Sequence, residues 1–202
     1  MQTKAYSLTF CAIGVALNIV LSFIVSHIKI PFVFFDVIGT VLSAAVLGPI
    51  YGAITGFITN LITSMVNNPQ ELSFALVNIV IGIVVGLISK KFGFKLPVAI
   101  ITGLILSVVA PLIGTPISVI LFGGLSGGAM DIMTGFFIKS GQKIFTAAFI
   151  PRIISNIIEQ VNFPLMLFAF HTSSEIDDGF PIFILQATHK LLPFYYNRLG
   201  HP

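Results

Sequence analysis

The sequence predicts an all-α integral membrane protein in which about six transmembrane helices form a compact bundle. Hydrophobic residues make up 56% of its 202 residues, charged residues only 8%, and the mean hydropathy is +1.05. A soluble domain carries about a quarter charged residues, because its surface faces water. Several apolar runs reach the length of roughly 20 residues that a helix needs to cross the hydrocarbon layer. Helices are the expected form of these runs, because a helix pairs its backbone polar groups internally.

The first apolar run predicts a transmembrane helix from about Tyr6 to His27, which the segment Lys29–Pro31 ends. Lys4 precedes the run as in an export signal. The run is longer than a signal core and no small-residue cleavage site follows it, so we expect a retained helix. Cys11, the single cysteine, lies inside the run. We expect a small lipid- or helix-facing side chain there, because one cysteine forms neither an intramolecular disulfide nor a metal cluster.

The apolar stretch from Phe32 to Val66 is too long for one span, and Gly48-Pro49 interrupts it with a turn signal. It therefore predicts two helices of shorter reach, at about Phe34–Leu47 and Ile50–Val66. The polar segment Asn67–Glu71 follows as a loop.

A fourth helix is expected at about Leu72–Ser89, followed by a compact basic turn at Lys90–Lys95. The fifth helix begins near Leu96. Pro111 and Pro116 favour a kink or an ending within it, because each removes a helical hydrogen bond.

The glycine-rich segment Phe122–Asp131 is poorly suited to a lipid-facing helix. It predicts an irregular lid or loop that protein or water must cover. A short amphipathic helix is expected at Ile132–Ile138. The last span begins near Phe145 or Ile150 and ends near Phe170.

We accordingly predict a six-helix, substrate-binding membrane domain of residues 1–170 and a polar tail of residues 171–202, with both termini in the cytoplasm. Lysine and arginine prefer the cytoplasmic side in short loops. With the N-terminus inside, the cytoplasmic group outnumbers the outer one: Lys4, Lys90, Lys91, Lys95, Lys190 and Arg198 lie inside, and Lys29, Lys139 and Lys143 lie outside. The loops at 29–34, 67–71 and 122–144 then share the outer face.

Arg152 is the most informative residue, because a guanidinium inside an apolar segment is costly unless it is paired or hydrated. Asn156 follows four residues later and Glu159 seven, on the same or a neighbouring part of one helix face. We interpret this face as the polar wall of a substrate cavity in which Arg152 binds a carboxylate or phosphate. The alternatives are an interfacial arginine that reaches lipid headgroups, or an Arg152 paired with Glu159 or Asp36.

Other polar residues in the apolar helices are Asn60 and Asn78. Each amide either bonds a neighbouring helix or offers a donor and an acceptor to a ligand, and the sequence leaves both open. Asp36, just inside the second helix, is interpreted as a charge that the helix N-terminus favours rather than as a cation site. Asp131 is expected in a hydrated loop, where a charge needs no special function.

The sequence lacks the motifs of the common catalytic and ATP-binding sites. It has no GxxxxGK[ST] phosphate loop, no HExxH, no paired histidine ligands and no GxSxG elbow. We therefore expect neither an enzyme nor a cofactor. Its scattered basic residues argue against nucleic-acid binding. The chain shows no strong internal duplication of the kind many secondary transporters have, although a self-sufficient secondary transporter stays an alternative.

Ala12 and Ala16 form an AxxxA pattern, in which small side chains let another helix approach closely. Together with the chain length, the six-span layout, Gly48-Pro49, the glycine-rich outer segment and the polar last helix, this pattern resembles the substrate-binding S-components of energy-coupling factor (ECF) vitamin transporters. The resemblance covers roughly residues 2–170.

The resemblance implies a multi-pass protein of the prokaryotic plasma membrane that binds a vitamin or precursor from outside. The site would be formed by the outer loops and the outer halves of helices 4 to 6. Ala12 and Ala16 would then dock on a transmembrane coupling subunit driven by two ATPase subunits.

The sequence looks most like the pantothenate-type S-components. Thiamine and riboflavin sites use aromatic stacking, often with tryptophan, and this chain has none. A wall containing Arg152 better suits an acid with hydroxyls and an amide, and a pyridoxine or hydroxymethylpyrimidine type is the closest rival. The expected substrate-binding residues are Arg152, Asn156, Asn60, Asn78, Gly123, Gly124 and Asp131.

Overall fold

A computed structural model describes residues 4–28, 36–93, 96–125 and 130–158. The described residues form seven α-helices and one short 3₁₀ helix. In chain order they are α1 (Lys4–Ile28), α2 (Ile38–Leu47), α3 (Pro49–Val66), the 3₁₀ helix (Pro69–Phe74), α4 (Ala75–Phe92), α5 (Leu96–Phe122), α6 (Met130–Lys139) and α7 (Ile144–Ile158). This confirms the predicted all-helical class.

Four helical segments are long and apolar enough to cross a membrane: Lys4–Val25, Pro49–Val66, Pro69–Phe92 and Leu96–Phe122. Two further apolar helices, α2 and α7, are shorter. The described part therefore shows four candidate spans where the sequence predicts about six. The predicted second half of the last span, residues 159–170, and the tail of residues 171–202 lie outside the described residues.

The turn predicted at Gly48-Pro49 is confirmed. Gly48 has a positive φ of 98°, a backbone conformation that glycine adopts readily, and Pro49 occupies the first position of α3. The chain thus leaves α2 and enters α3 without a loop. The predicted start of the second helix is wrong, since α2 begins at Ile38, so that Asp36 lies in the turn before the helix rather than inside it.

One further boundary prediction is wrong, and of the two outcomes predicted at the prolines of the fifth helix, a kink or an ending, the structure excludes the ending. Lys90 and Lys91 do not form a turn but the last turn of α4, where positive charge complements the helix dipole, and Gly93 ends the helix at a φ of 78°. Neither Pro111 nor Pro116 ends α5, which continues to Phe122. A long apolar helix packed on neighbours tolerates internal proline because the surrounding groups compensate for the lost hydrogen bond.

The glycine-rich segment is helical at its end, which corrects the placement of Asp131 in a loop. Asp131 lies in the first turn of α6, where its carboxylate is favoured by the helix dipole. The short helix predicted at residues 132–138 is confirmed as α6. Residues 126–129 lie outside the described part of the chain.

Helices α1 to α4 pack on one another through glycines that leave no room for a side chain. A Cβ atom at Gly39 would collide with the backbone of Gly14, so α1 and α2 touch at the main chain. The same holds between Gly52 of α3 and Gly82 of α4. Small residues at such crossings are the usual means by which membrane helices gain close van der Waals packing.

Asn18 holds the same region together by hydrogen bonds. Its side-chain nitrogen donates to the hydroxyls of Thr40 at 3.0 Å and Thr59 at 3.1 Å, and its oxygen accepts from the Gly39 amide at 2.6 Å. Asn18 and Thr40 are completely buried. One amide therefore links α1, α2 and α3, and all of its hydrogen bonds are made inside the protein.

The close approach of α1 and α2 leads to a stability prediction. Gly39→Ala should lower the free energy of unfolding by about 1–3 kcal/mol, because the added methyl group must push two backbones apart. Thermal unfolding in detergent measures the effect. Gly135→Ala is the matched control, since a Cβ there meets nothing within 4 Å. Equal melting temperatures for Gly39→Ala and the unmodified protein would contradict the described helix contact.

Candidate functional site

Arg152 lies in the third turn of α7 and is half-buried. One guanidinium nitrogen donates to the backbone oxygen of Ala148 at 2.9 Å, and the other donates to the hydroxyl of Ser118 on α5 at 2.8 Å. Ser118 is completely buried. These bonds fix the plane of the guanidinium against α5, so its charge is held in place before any ligand arrives.

Asp131 on α6 interacts electrostatically with Arg152. Of the two carboxylates that the sequence suggests as partners, Glu159 lies outside the described residues and Asp36 lies in the turn before α2. The carboxylate brought near Arg152 is instead one that the sequence assigned to a hydrated loop. The helical start at Met130 positions it, and a negative group is therefore accommodated beside this guanidinium.

Asn156 shares the Arg152 side of α7, as its spacing predicts. Its side-chain nitrogen donates to the backbone oxygen of Arg152 at 2.8 Å, and the residue is half-buried. This bond lies within one helix turn and orients the amide. The amide oxygen of Asn156 is then directed away from that bond and is suited to accept a hydrogen bond from a ligand.

Gly123 and Gly124 form the turn that follows α5, with positive φ values of 63° and 89°. The Gly124 amide donates to the backbone carbonyl oxygen of Ser118 at 2.9 Å. A Cβ at Gly124 would lie 3.0 Å from the Ile144 side chain and 3.9 Å from that of Ala148. The end of α5 therefore meets the beginning of α7, and the two helices run antiparallel past Arg152.

Buried hydroxyl groups around this crossing are the feature that sequence reasoning missed. Thr115 on α5, Thr134 on α6 and Ser155 on α7 are all completely buried. Within the described part of the chain, none of these three hydroxyls has a hydrogen-bond partner. A buried hydroxyl without a partner costs about 1–3 kcal/mol. Their spacing of three residues from Ser118, Asp131 and Arg152 is the only signal in the sequence, and it is too common to be specific.

Asn60 and Asn78 form a pair of their own between α3 and α4. Asn78 donates to the Asn60 side-chain oxygen at 2.9 Å, and Asn60 donates to the Glu71 backbone oxygen, also at 2.9 Å. Both amides are buried. The structure thus shows the helix-bonding role that the sequence left open, while a role in ligand binding stays a prediction.

The 3₁₀ helix connects this pair to the end of α5. The rings of Phe74 and Phe122 pack at a centroid distance of 6.1 Å, and the nearest atoms to a Cβ at Gly114 belong to Val77 and Phe74. The end of α5 therefore lies between the 3₁₀ helix on one side and the start of α7 on the other.

Ala12 and Ala16 both lie on an exposed face of α1. The same helix buries Gly14 and Asn18 on its other side, against α2 and α3. The apolar neighbours Leu8 and Val20 are also exposed, at 62% and 56%. The AxxxA positions are therefore not used for packing among the described helices.

Cys11 is buried, and its thiol contacts the Tyr51 backbone oxygen at 3.8 Å. This agrees with the expectation of a small helix-facing side chain. Among the residues that the structure describes, no group of three histidine, cysteine or acidic side chains is placed to hold a metal ion.

Comparison with known proteins gives one match. A family model described as the substrate-specific component of ECF transporters matches residues 6–168 of the chain. No curated protein and no solved structure matches.

The Asn60–Asn78 pair generates a prediction about stability. Asn60→Ala should destabilise the protein by about 1 kcal/mol, because it leaves both the Asn78 donor and the Glu71 carbonyl without a partner. Asn78→Ala should destabilise the protein less. It removes only the hydrogen bond to Asn60, together with the Asn78 side-chain oxygen, which already lacks a described partner. Thermal unfolding of the single and double variants in detergent gives both values. Strictly additive effects would show that the two amides do not interact.

Proposed function

Because the chain belongs to the family of substrate-specific components of ECF transporters, we propose that it captures pantothenate from outside the cell and delivers it to a coupling subunit. Membership makes the protein a substrate-binding component of a membrane transporter rather than an enzyme. The finer claims that follow concern the vitamin, the site and the docking face.

The half-buried guanidinium of Arg152 carries the proposal of an anionic substrate. Its bonds to Ala148 and Ser118 hold it in one orientation, so a carboxylate binds without further ordering of the side chain. Charge-assisted hydrogen bonds between a guanidinium and a carboxylate are the strong ones in proteins. Asp131 also interacts with Arg152, so a bound carboxylate would share the guanidinium with this side chain.

The polar groups around Arg152 favour an acid that also carries hydroxyl and amide groups. Asn156 lies on the same face, and Ser118 is the buried hydroxyl nearest to the guanidinium in the described structure. Pantothenate has a carboxylate at one end and hydroxyls and an amide along its length. Pyridoxine and hydroxymethylpyrimidine have no carboxylate, so with either ligand Arg152 would depend on Asp131 to offset its desolvation, which makes them the weaker candidates.

We place the α5–α7 crossing at the outer face of the membrane. In a six-segment arrangement with the N-terminus inside, α2 and α7 count as short spans, and the turn at Gly123-Gly124 and the start of α7 face outward. The abundance of lysine on the opposite side supports this orientation. A substrate then reaches Arg152 directly from the external solution.

The exposed face of α1 is proposed as the docking surface for the coupling subunit, whose transport is driven by two ATPase subunits. Ala12 and Ala16 are exposed and have small side chains, so a partner helix can approach α1 closely at these positions. Since α1 buries its opposite side, docking requires no rearrangement of the contacts around Asn18.

The substrate assignment predicts a large effect of removing the guanidinium. Arg152→Ala should weaken pantothenate binding by about a hundredfold or more, because a charge-assisted pair in a partly buried site is lost. Asn156→Ala should weaken it less, and esterifying the carboxylate should imitate the arginine loss. Calorimetric titration of the purified protein measures all three.

Lys143→Ala is the matched control for this prediction. Lys143 is a fully exposed cation in the turn before α7, so its removal changes the net charge near the site without touching Arg152. The pantothenate affinity of Lys143→Ala should stay within about twofold of that of the unmodified protein. The substrate choice is wrong if the ester binds as well as the acid, or if pyridoxine binds and pantothenate does not.

The proposed docking surface predicts variants that lose transport but keep substrate binding. Ala12→Leu or Ala16→Leu should reduce uptake in cells that supply the coupling subunit and ATPases, because added bulk holds the partner helix away. Pantothenate affinity should be unchanged. Ile101→Phe, at an apolar position of α5 that is 58% exposed, controls for added bulk on the surface. Equal loss of binding and uptake would mean that these alanines pack within the protein itself.

A further inference from the structure

We propose that Thr115 and Ser155 form a second binding subsite one helical turn below Arg152, which binds a hydroxyl or amide group of the anionic substrate. This inference rests on the proposed function, because it describes the part of the same substrate that lies beyond the carboxylate. The subsite restricts the ligand to a carboxylic acid that also carries a hydrogen-bonding group at a fixed distance from the carboxylate.

The register of α5 and α7 places the two hydroxyls at one level. Gly124 lies beside Ile144, and Ser118 bonds Arg152, so the helices run antiparallel. Thr115 precedes Ser118 by three residues on α5, and Ser155 follows Arg152 by three residues on α7. Three residues advance a helix by about 4.5 Å, so both hydroxyls lie about that far beyond the level of the guanidinium.

The burial of these groups points to a ligand rather than to solvent. Thr115 and Ser155 are completely buried, and neither hydroxyl has a partner among the described residues. Serine and threonine in apolar helices commonly bond the carbonyl one turn earlier, as Thr102 and Thr59 do here. Thr115 and Ser155 do not, so both hydroxyls keep a donor and an acceptor that no described group uses.

We assign different parts of the substrate to Arg152 and to the two hydroxyls. Arg152 is half-buried and lies on the side from which a ligand enters, whereas the hydroxyls lie deeper. An acid that binds at Arg152 extends its chain toward Thr115 and Ser155, and the two hydroxyls accept from or donate to its polar groups. Both hydroxyls are covered in this structure, so the proposed subsite requires α5 and α7 to separate at this level when the ligand binds. Thr134 on α6 supplies a third hydroxyl of the same kind.

Paired titrations test the subsite with two acids of similar length, pantothenate and heptanoate, the second of which has no hydroxyl or amide. Thr115→Val and Ser155→Ala keep the shape of each side chain and remove only its hydroxyl. Each should weaken pantothenate binding by about tenfold and leave heptanoate binding unchanged. Thermal unfolding temperatures of the two variants should be equal to or above that of the unmodified protein, because no hydrogen bond within the fold is lost.

Ser43→Ala is the matched control. Ser43 is also completely buried, and its hydroxyl also lacks a described partner, but it lies on α2 beside Gly14. Removing the Ser43 hydroxyl should change the affinity for neither pantothenate nor heptanoate. The subsite would be overturned if Thr115→Val and Ser155→Ala lost affinity for both acids equally, or if they melted at a lower temperature. These hydroxyls would then stabilise the fold rather than bind the ligand.

The same titrations keep the subsite separate from the proposed function. If Arg152→Ala weakens both acids while the hydroxyl variants change nothing, the anion site stands and the subsite is wrong. If the hydroxyl variants weaken pantothenate and Arg152→Ala does not, the subsite stands and the role of Arg152 is wrong. Failure of the unmodified protein to prefer pantothenate over heptanoate overturns the subsite directly.

Discussion

The need to give every buried polar group a partner is the constraint on which this structure depends. In an apolar bundle, an amide or hydroxyl without a partner destabilises the fold by about 1–3 kcal/mol, and an unpaired guanidinium by more. Asn18 meets the constraint completely, with two donated bonds and one accepted bond among three helices. Asn60 and Asn78 meet it largely through each other and the Glu71 backbone. These amides therefore specify which helices are neighbours and in which register.

This constraint is met differently in helices α1 to α4 and in the region around Arg152. Helices α1 to α4 combine paired amides with glycine contacts such as Gly14–Gly39, and both devices leave little room for a ligand. Around Arg152, a fixed guanidinium bonds Ser118, and the same two helices carry the buried hydroxyls of Thr115 and Ser155, which lack a described partner as Ser43 of α2 does. We propose that the first part serves packing and presents the exposed face of α1, and that the second receives polar groups of the substrate. A substrate-binding component that docks on a partner requires both.

The sequence predicted the features that depend on local composition. The long apolar runs located α1 and α3 to within two residues at the ends given by the structure, and Gly48-Pro49 located the α2–α3 turn because glycine and proline act on the backbone alone. It left open whether the fifth helix kinks or ends at Pro111 and Pro116, because neighbouring helices decide whether a proline ends a helix in a membrane, and α5 continues through both.

The candidate site was predictable only in part, because its geometry comes from contacts that are distant in the chain. The cost of a charge in an apolar run identified Arg152, but its partner Ser118 is 34 residues away and carries no local signal. Asp131 was misplaced because helix α6 begins inside a glycine-rich segment that composition alone describes as a loop. Thr115 and Ser155 resemble any other hydroxyls in apolar helices until their missing partners are seen in three dimensions.

Amide hydrogen exchange of the purified protein, with and without pantothenate, tests the central claim that substrate binds between α5, α6 and α7. The account predicts slower exchange on binding in residues 114–125 and 130–156. Exchange in α2 and in the α3–α4 crossing around Gly52 and Gly82 should not change, because those contacts are complete without ligand. Protection confined to α1 to α4, or protection of no segment at saturating pantothenate, would contradict it.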